Sequence, residues 1–170
     1  MIVRLFNKLF FLVLLAAVFC VSAFAAVTHE LFFIGKNTNR NIVRYDVRMT
    51  SDGQIDLRDP IDAFWLLNET NGSRSELSTI DRRAYGFSVR NNDGVLTLVL
   101  RQVQETPITI KMKDSVPVAV IDVDGREIKL QNVMVQLRGG FMGVPRVEFY
   151  TLNGIDLSDG KEFSHRVDVR

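Results

Sequence analysis

Arginines and aromatic residues recur together along this chain, and their types could hold a ligand. Arg44 stands beside Tyr45, Trp65 follows, then Arg82 and Arg83 with Tyr85, and finally Arg138. A guanidinium presents a rigid fork of N–H donors that fits carboxylates and phosphates and stacks on aromatic faces. A mouth built from Arg44, Tyr45, Trp65, Arg82, Arg83, Tyr85 and Arg138 would suit a small anionic or aromatic ligand. The bland alternative stands beside it. Arg44 and Arg48 alternate opposite apolar residues, as on the wet face of a strand, and Trp65 and Tyr85 are residue types that commonly fill cores.

Other chemistries find less to work with. His29-Glu30 opens like a zinc-protease motif, yet residue 33 is Phe where a second His is needed, and the segment reads as strand. His165 sits alone beside Ser164 near the C-terminus. Asp52, Asp56, Asp59 and Asp62 would share one face of a helix, but Gly53 and Pro60 point to turns, and the alternating acids of a calcium loop are missing. Asp122 and Asp124 fit a hairpin turn. There is no G-x-S-x-G elbow, and Arg138-Gly139-Gly140 lacks the Lys of a phosphate loop. Asn68-Glu69-Thr70 and Asn71-Gly72-Ser73 match glycosylation sequons but also have turn composition. The sequence thus supplies no catalytic set, no metal site and no cofactor motif.

The elements that must position these residues alternate with period two. In Asn41 to Met49, Val43, Tyr45, Val47 and Met49 share one side and Arg44, Asp46 and Arg48 the other. Ala84 to Arg90 and Val95 to Gln102 flank Asn91-Asn92-Asp93-Gly94 as a hairpin. Val116 to Val123 and Arg126 to Leu137 flank Asp124-Gly125 as a second. Leu31 to Ile34, Ile61 to Leu67, Ile108 to Lys113 and Val144 to Leu152 complete eight or nine strands. Only Ser75 to Arg83 suggests a helix, a short one, with Ser75 or Ser78 as N-cap. The fold class expected is all-β and mainly antiparallel, a single-domain β-barrel or barrel-like sandwich.

Residues 1–25 read as a signal peptide. Arg4 and Lys8 precede an apolar run from Leu9, and Ala23-Phe24-Ala25 places small residues where signal peptidase cuts. An uncleaved anchor competes, since the run to Val27 is about long enough to span a bilayer. A lipoprotein is disfavoured because Phe19 precedes Cys20. Cleavage would leave residues 26–170 as one domain, exported to a periplasmic or extracellular space and free of the membrane. Its Lys plus Arg would fall from 21 to 19 against 20 acidic residues, a charge near minus one. That balance lacks the basic footprint nucleic acid requires. The single cysteine departs with the leader, and with it any disulfide or thiolate chemistry.

His29-Glu30-Leu31-Phe32-Phe33-Ile34-Gly35, Asn39 to Val43 with Tyr45-Asp46, Pro60-Ile61-Asp62 with Trp65, and Ile80-Asp81-Arg82-Arg83-Ala84-Tyr85-Gly86 together resemble a family of small exported proteins described only as a domain of unknown function. The resemblance implies a shared β-rich domain and no activity. Two function classes follow: an exported barrel that binds a small ligand, or an envelope or extracellular interaction module with a filled core. An enzyme without a recognisable motif ranks third.

Overall fold

A computed structural model describes residues 27–103, 106–139 and 146–169 of the protein. The expected signal peptide, residues 1–25, together with residues 140–145 of the expected glycine turn and last strand and Arg170, lies outside the described residues. The fold is all-β, as expected, with more strands than anticipated: β1 Val27–Lys36, β2 Asn39–Met49, β3 Ile61–Leu67, β4 Ser73–Glu76, β5 Phe87–Asn92, β6 Val95–Leu100, β7 Ile108–Lys113, β8 Val116–Val123, β9 Arg126–Arg138, β10 Arg146–Asp156 and β11 Glu162–Asp168. One helix, α1, covers Asp81–Tyr85. Among the described residues no helix is long and apolar enough to cross a membrane.

Both expected hairpins form. Asp93 and Gly94 (φ 51° and 86°) and Asp124 and Gly125 (φ 54° and 77°) adopt the left-handed backbone that two-residue turns demand. Asn91 and Asp122 then close each turn by accepting the glycine N–H on a side-chain oxygen, at 3.0 Å in both cases. The helix is shorter and later than the expected Ser75 to Arg83. Ser75 lies in β4, paired with Trp65, so that part of the segment is strand. Ser78 accepts the Asp81 N–H (3.1 Å) and donates its hydroxyl to the Asp81 carboxylate (2.6 Å), a reciprocal clasp that starts the helix three residues beyond it. Gly86 ends it. A Cβ there would lie 2.1 Å from the Arg82 carbonyl oxygen, so only glycine lets the chain turn straight from α1 into β5.

The sheet runs β4-β3-β2-β1-β9-β8-β7-β6-β5, with β10 and β11 added beyond β9. All neighbours are antiparallel except β1 and β9. β9 is the spine. Residues 126–129 pair with β8 and residues 132–135 with β1, both on the edge opposite β10, so two arms leave the same strand edge. The arms curl toward each other into a half-barrel around one core. Phe32, Val43, Tyr45 and Val47 from one arm meet Leu98, Ile108 and Ile121 from the other, all at 2% exposure or less. Burial on that scale stabilises by roughly 1.5–3 kcal/mol per large side chain. The outermost strands β4, β5 and β11 are mostly exposed and rich in polar residues, which discourages edge pairing with other chains.

Between Leu130 and Asn132 the spine slips. Leu130 pairs with Gly154 and Asn132 with Asn153, which leaves Gln131 without a partner on β10, a β-bulge. The slip lets Leu130 and Val133 both point into the core although they are three residues apart. It also brings the backbones close. A Cβ on Gly154 would lie 2.2 Å from the Lys129 carbonyl oxygen.

Candidate functional site

Three of the seven arginine and aromatic residues come together at the rim of the half-barrel. β3 carries Trp65 and α1 carries Tyr85, and their rings meet edge to face with centroids 5.1 Å apart. Tyr45 lies beneath, fully buried, stacked on Phe32 at 4.7 Å and donating its hydroxyl to the Tyr85 carbonyl at 2.7 Å. Two residues outside the seven complete the group. Lys36, from the end of β1, places its ammonium 5.1 Å from the centre of the Trp65 ring, and Asp81 opens the helix.

Electrostatics at the rim follow from these contacts. Hydrogen bonding from the Ser78 hydroxyl holds the Asp81 carboxyl below the usual carboxylate range, with smaller contributions from the Trp65 side chain and the Lys36 charge. Burial pushes the Tyr85 phenol up, and the Asp81 charge adds to the shift. Burial pushes Tyr45 up much further. Both phenols are therefore neutral hydrogen-bonding groups at neutral pH. Arg82 is exposed and donates its Nε to the Leu77 carbonyl at 3.2 Å, while Arg83 is exposed on the same short helix.

Arg44 does not join them. It lies on the opposite face of β2 from Tyr45, where it forms a bidentate pair with Asp46 (2.5 and 2.8 Å) and reaches Glu30 at 3.1 Å. Arg74 holds Asp62 in the same two-pronged way at 3.0 Å on both prongs and also bonds Glu76. Arg48 bridges Asp59 and Asp62. Asp46 and Asp62, at 2% and 7% exposure, are thereby buried but compensated. The Asp52 to Asp62 series is divided accordingly: Asp59 and Asp62 serve this network, and Asp52 accepts from Thr50 within a turn. Arg138 ends β9 opposite Arg146, on a different strand from every rim residue.

A second polar arrangement lies on β9, β10 and β11. Asn132, Asn153 and Ser164 are directly opposite one another across the three strands. Asn153 donates Nδ2 to Asn132 Oδ1 and accepts the Ser164 hydroxyl on its own Oδ1, both at 2.8 Å. Beside this row the bulge opens a shallow groove of about 470 Å³ lined by Gln131, Asn153, Gly154, Glu162, Phe163 and Ser164. Nothing in the residue types alone marks this groove. The available signal is the break in alternation between Leu130 and Val133.

Of the two histidines, His29 is exposed on β1, and His165 stacks beside Phe163 with ring centres 6.3 Å apart. Among the described residues no group of three or more His, Cys, Asp or Glu side chains is placed to hold a metal ion.

A family model described as "Domain of unknown function (DUF4833)" matches residues 32–166. No curated protein and no solved structure matches the chain.

Proposed function

The chain belongs to the DUF4833 family, and from that premise we propose that it is an exported, non-catalytic module that binds its partner on its surface around a filled interior. One observation carries this reading over a barrel that encloses a ligand. The space between the two arms is occupied by the protein's own side chains, with Phe32, Tyr45 and Leu98 fully buried and packed in one cluster. Export is supported by the basic start, apolar run and Ala23-Phe24-Ala25 of the leader.

N-terminal sequencing of the exported protein tests the first half, with Ala26 as the expected first residue and Met1 as the outcome that replaces the signal peptide with an anchor. Titration with a fatty acid and an aromatic amine tests the second. Neither should perturb the methyl resonances of Leu98 or Val43, and a saturable shift at those methyls would give the interior back to a ligand.

A second reading is favoured by the rim, where Lys36, Trp65 and Tyr85 combine a cation with two part-exposed rings suited to a small anionic or aromatic ligand. Trp65 is the only tryptophan in the chain. Its fluorescence therefore reports directly on occupancy: saturable quenching by benzoate or phosphate, abolished in Lys36→Ala, would place a ligand there.

A further inference from the structure

We propose that the groove beside Gln131, on the outer side of β9, β10 and β11, binds a neutral hydroxyl-rich ligand, a segment of saccharide; the inference rests on reading the protein as a surface-binding module. At about 470 Å³ the groove falls in the size range of small-ligand sites. Its lining decides the chemistry. Gln131, Asn153 and Ser164 are uncharged groups that both donate and accept, Glu162 adds an acceptor that repels anions, and no Lys or Arg is among the lining residues; the neighbouring cation, Arg126, lies over Phe163 and faces Asp156 at 3.9 Å. Phe163, between Glu162 and Ser164 on β11, also lines the groove, with its ring turned to the core side, beneath the Arg126 guanidinium at 5.0 Å and beside His165.

The amide row is also pre-set. An Asn side chain carries two N–H donors and an oxygen with two lone pairs. Asn153 uses one donor on Asn132 and one lone pair on Ser164, which fixes its plane and leaves one donor and one acceptor unspent. A fixed amide with both functions still available matches a vicinal diol, which needs a donor and an acceptor side by side. Gly154, which also lines the groove, permits the close approach of β9 and β10 at the bulge, where a Cβ would meet the Lys129 carbonyl oxygen and the Ile128 side chain. Bulges commonly occur where a sheet re-aims side chains toward a partner.

A peptide laid along the free edge of β11 is the competing occupant, and it would use backbone groups rather than the amide row. Two-dimensional amide and side-chain NMR on the full protein separates the two. The probes are maltohexaose, cellohexaose, mannohexaose and chitohexaose, with hexagalacturonate as the anionic comparator and a neutral Ala-Ser hexapeptide. At least one neutral sugar should shift the Gln131 and Asn153 side-chain amides. Gln131→Ala and Ser164→Ala should each weaken it by about fivefold, the scale of one lost hydrogen bond, while Glu162→Gln binds at least as well. Both alanine positions are exposed, so the melting temperature should stay unchanged and certify the fold.

Silence from all four sugars with an unperturbed core overturns the groove and leaves the surface-module reading intact. Equal binding of hexagalacturonate, or peptide shifts along the β11 backbone that Gln131→Ala does not alter, overturns it as well. Sugar-induced shifts confined to Leu98 and Val43 would instead overturn both.

Discussion

Two rows of side chains cross three strands each on this molecule, and they behave oppositely. Glu30, Asp46 and Asp62 stand directly opposite one another across β1, β2 and β3. Asn132, Asn153 and Ser164 do so across β9, β10 and β11. Like charges placed opposite each other repel, so the acidic row exists only because Arg44, Arg48 and Arg74 fill the spaces between its members. Each of the three carboxylates and each of the three arginines is ion-paired there. The amide row needs no such supplement, because each amide satisfies its neighbour with half of its own capacity. The first face is occupied in holding the arm together, while the second keeps hydrogen-bonding groups to offer.

The largest test of that contrast removes the bulge beneath the amide row. In Gly154→Ala the new Cβ would meet the Lys129 carbonyl oxygen at 2.2 Å, backbone against backbone, where neither side can rotate away. The expected cost is about 3 kcal/mol or more, read as a fall in the denaturant midpoint. A near-native midpoint would mean that β9 and β10 can pair without the bulge. The groove would then be an incidental feature of the sheet.

Next in size is Asp46→Ala on the charged face. Asp46 is almost wholly buried and takes two bonds from Arg44, whose side chain is 28% exposed. Removing the carboxylate leaves a partly buried guanidinium with only the more exposed Glu30, and the loss should be about 2–3 kcal/mol. Asn153→Ala, by contrast, strands one amide acceptor near solvent and should cost only about 1 kcal/mol. Chemical denaturation of both variants measures the difference. Equal losses would erase the distinction between an occupied face and an available one.

How far the sequence reveals each region follows from the same physics. Half-buried strands announce themselves by alternation, as at Val43 to Met49, and tight hairpins by the Asp-Gly pairs that accept positive φ. Strands β4 and β11 are not foreseeable in this way, because edge strands with little or no buried apolar face carry too little hydrophobic periodicity to be distinguished from loop. Tyr45 and Arg44 group together as sequence neighbours, yet successive residues of a strand face opposite ways, so the first enters the core and the second the ion network. Lys36 and Asp81 carry no signal of their own because strand pairing and the helix turn, not sequence spacing, bring them to Trp65. The bulge does leave a trace, since Ile128 and Leu130 keep one phase and Val133 and Val135 the other.

The rim allows a smaller test of which groups are already occupied. Arg82 gives its Nε to the Leu77 carbonyl, so Arg82→Ala should lower stability by about 0.5–1 kcal/mol. Arg83 is exposed beside it, and Arg83→Ala should fall within about 0.5 kcal/mol of the parent. Thermal melts of the two variants decide it. If Arg83 proved the costlier loss, the helix would be anchored by the arginine that now looks available to a ligand.

The smallest expected effect lies at the end of β10, where an acidic group on the strand of the amide row is held by hydrogen bonds rather than by a lattice of arginines. Asp156 accepts both the Ser158 hydroxyl (2.6 Å) and the Ser158 N–H (2.9 Å) on the same oxygen, while Arg126 stands off at 3.9 Å. Hydrogen bonding by the Ser158 hydroxyl and then its backbone N–H holds the carboxyl below its ordinary value, with the charges of Arg126 and Lys161 as lesser contributors. A carboxyl whose folded pKa is depressed stabilises the fold above the unfolded pKa, near 4, and that contribution disappears as pH falls through the lower folded value. Ser158→Ala removes the leading cause but keeps the backbone donor. The Asp156 pKa, followed by the carbon-13 shift of its carboxyl, should therefore rise toward the ordinary value without reaching it, and the acid limb of the stability curve should become shallower in the same window. High salt should reproduce little of this change, because the main contacts are hydrogen bonds to neutral groups. A pKa unchanged by the substitution but raised by salt would make Arg126 and Lys161 the real holders, and this turn would then be a small copy of the charged face after all.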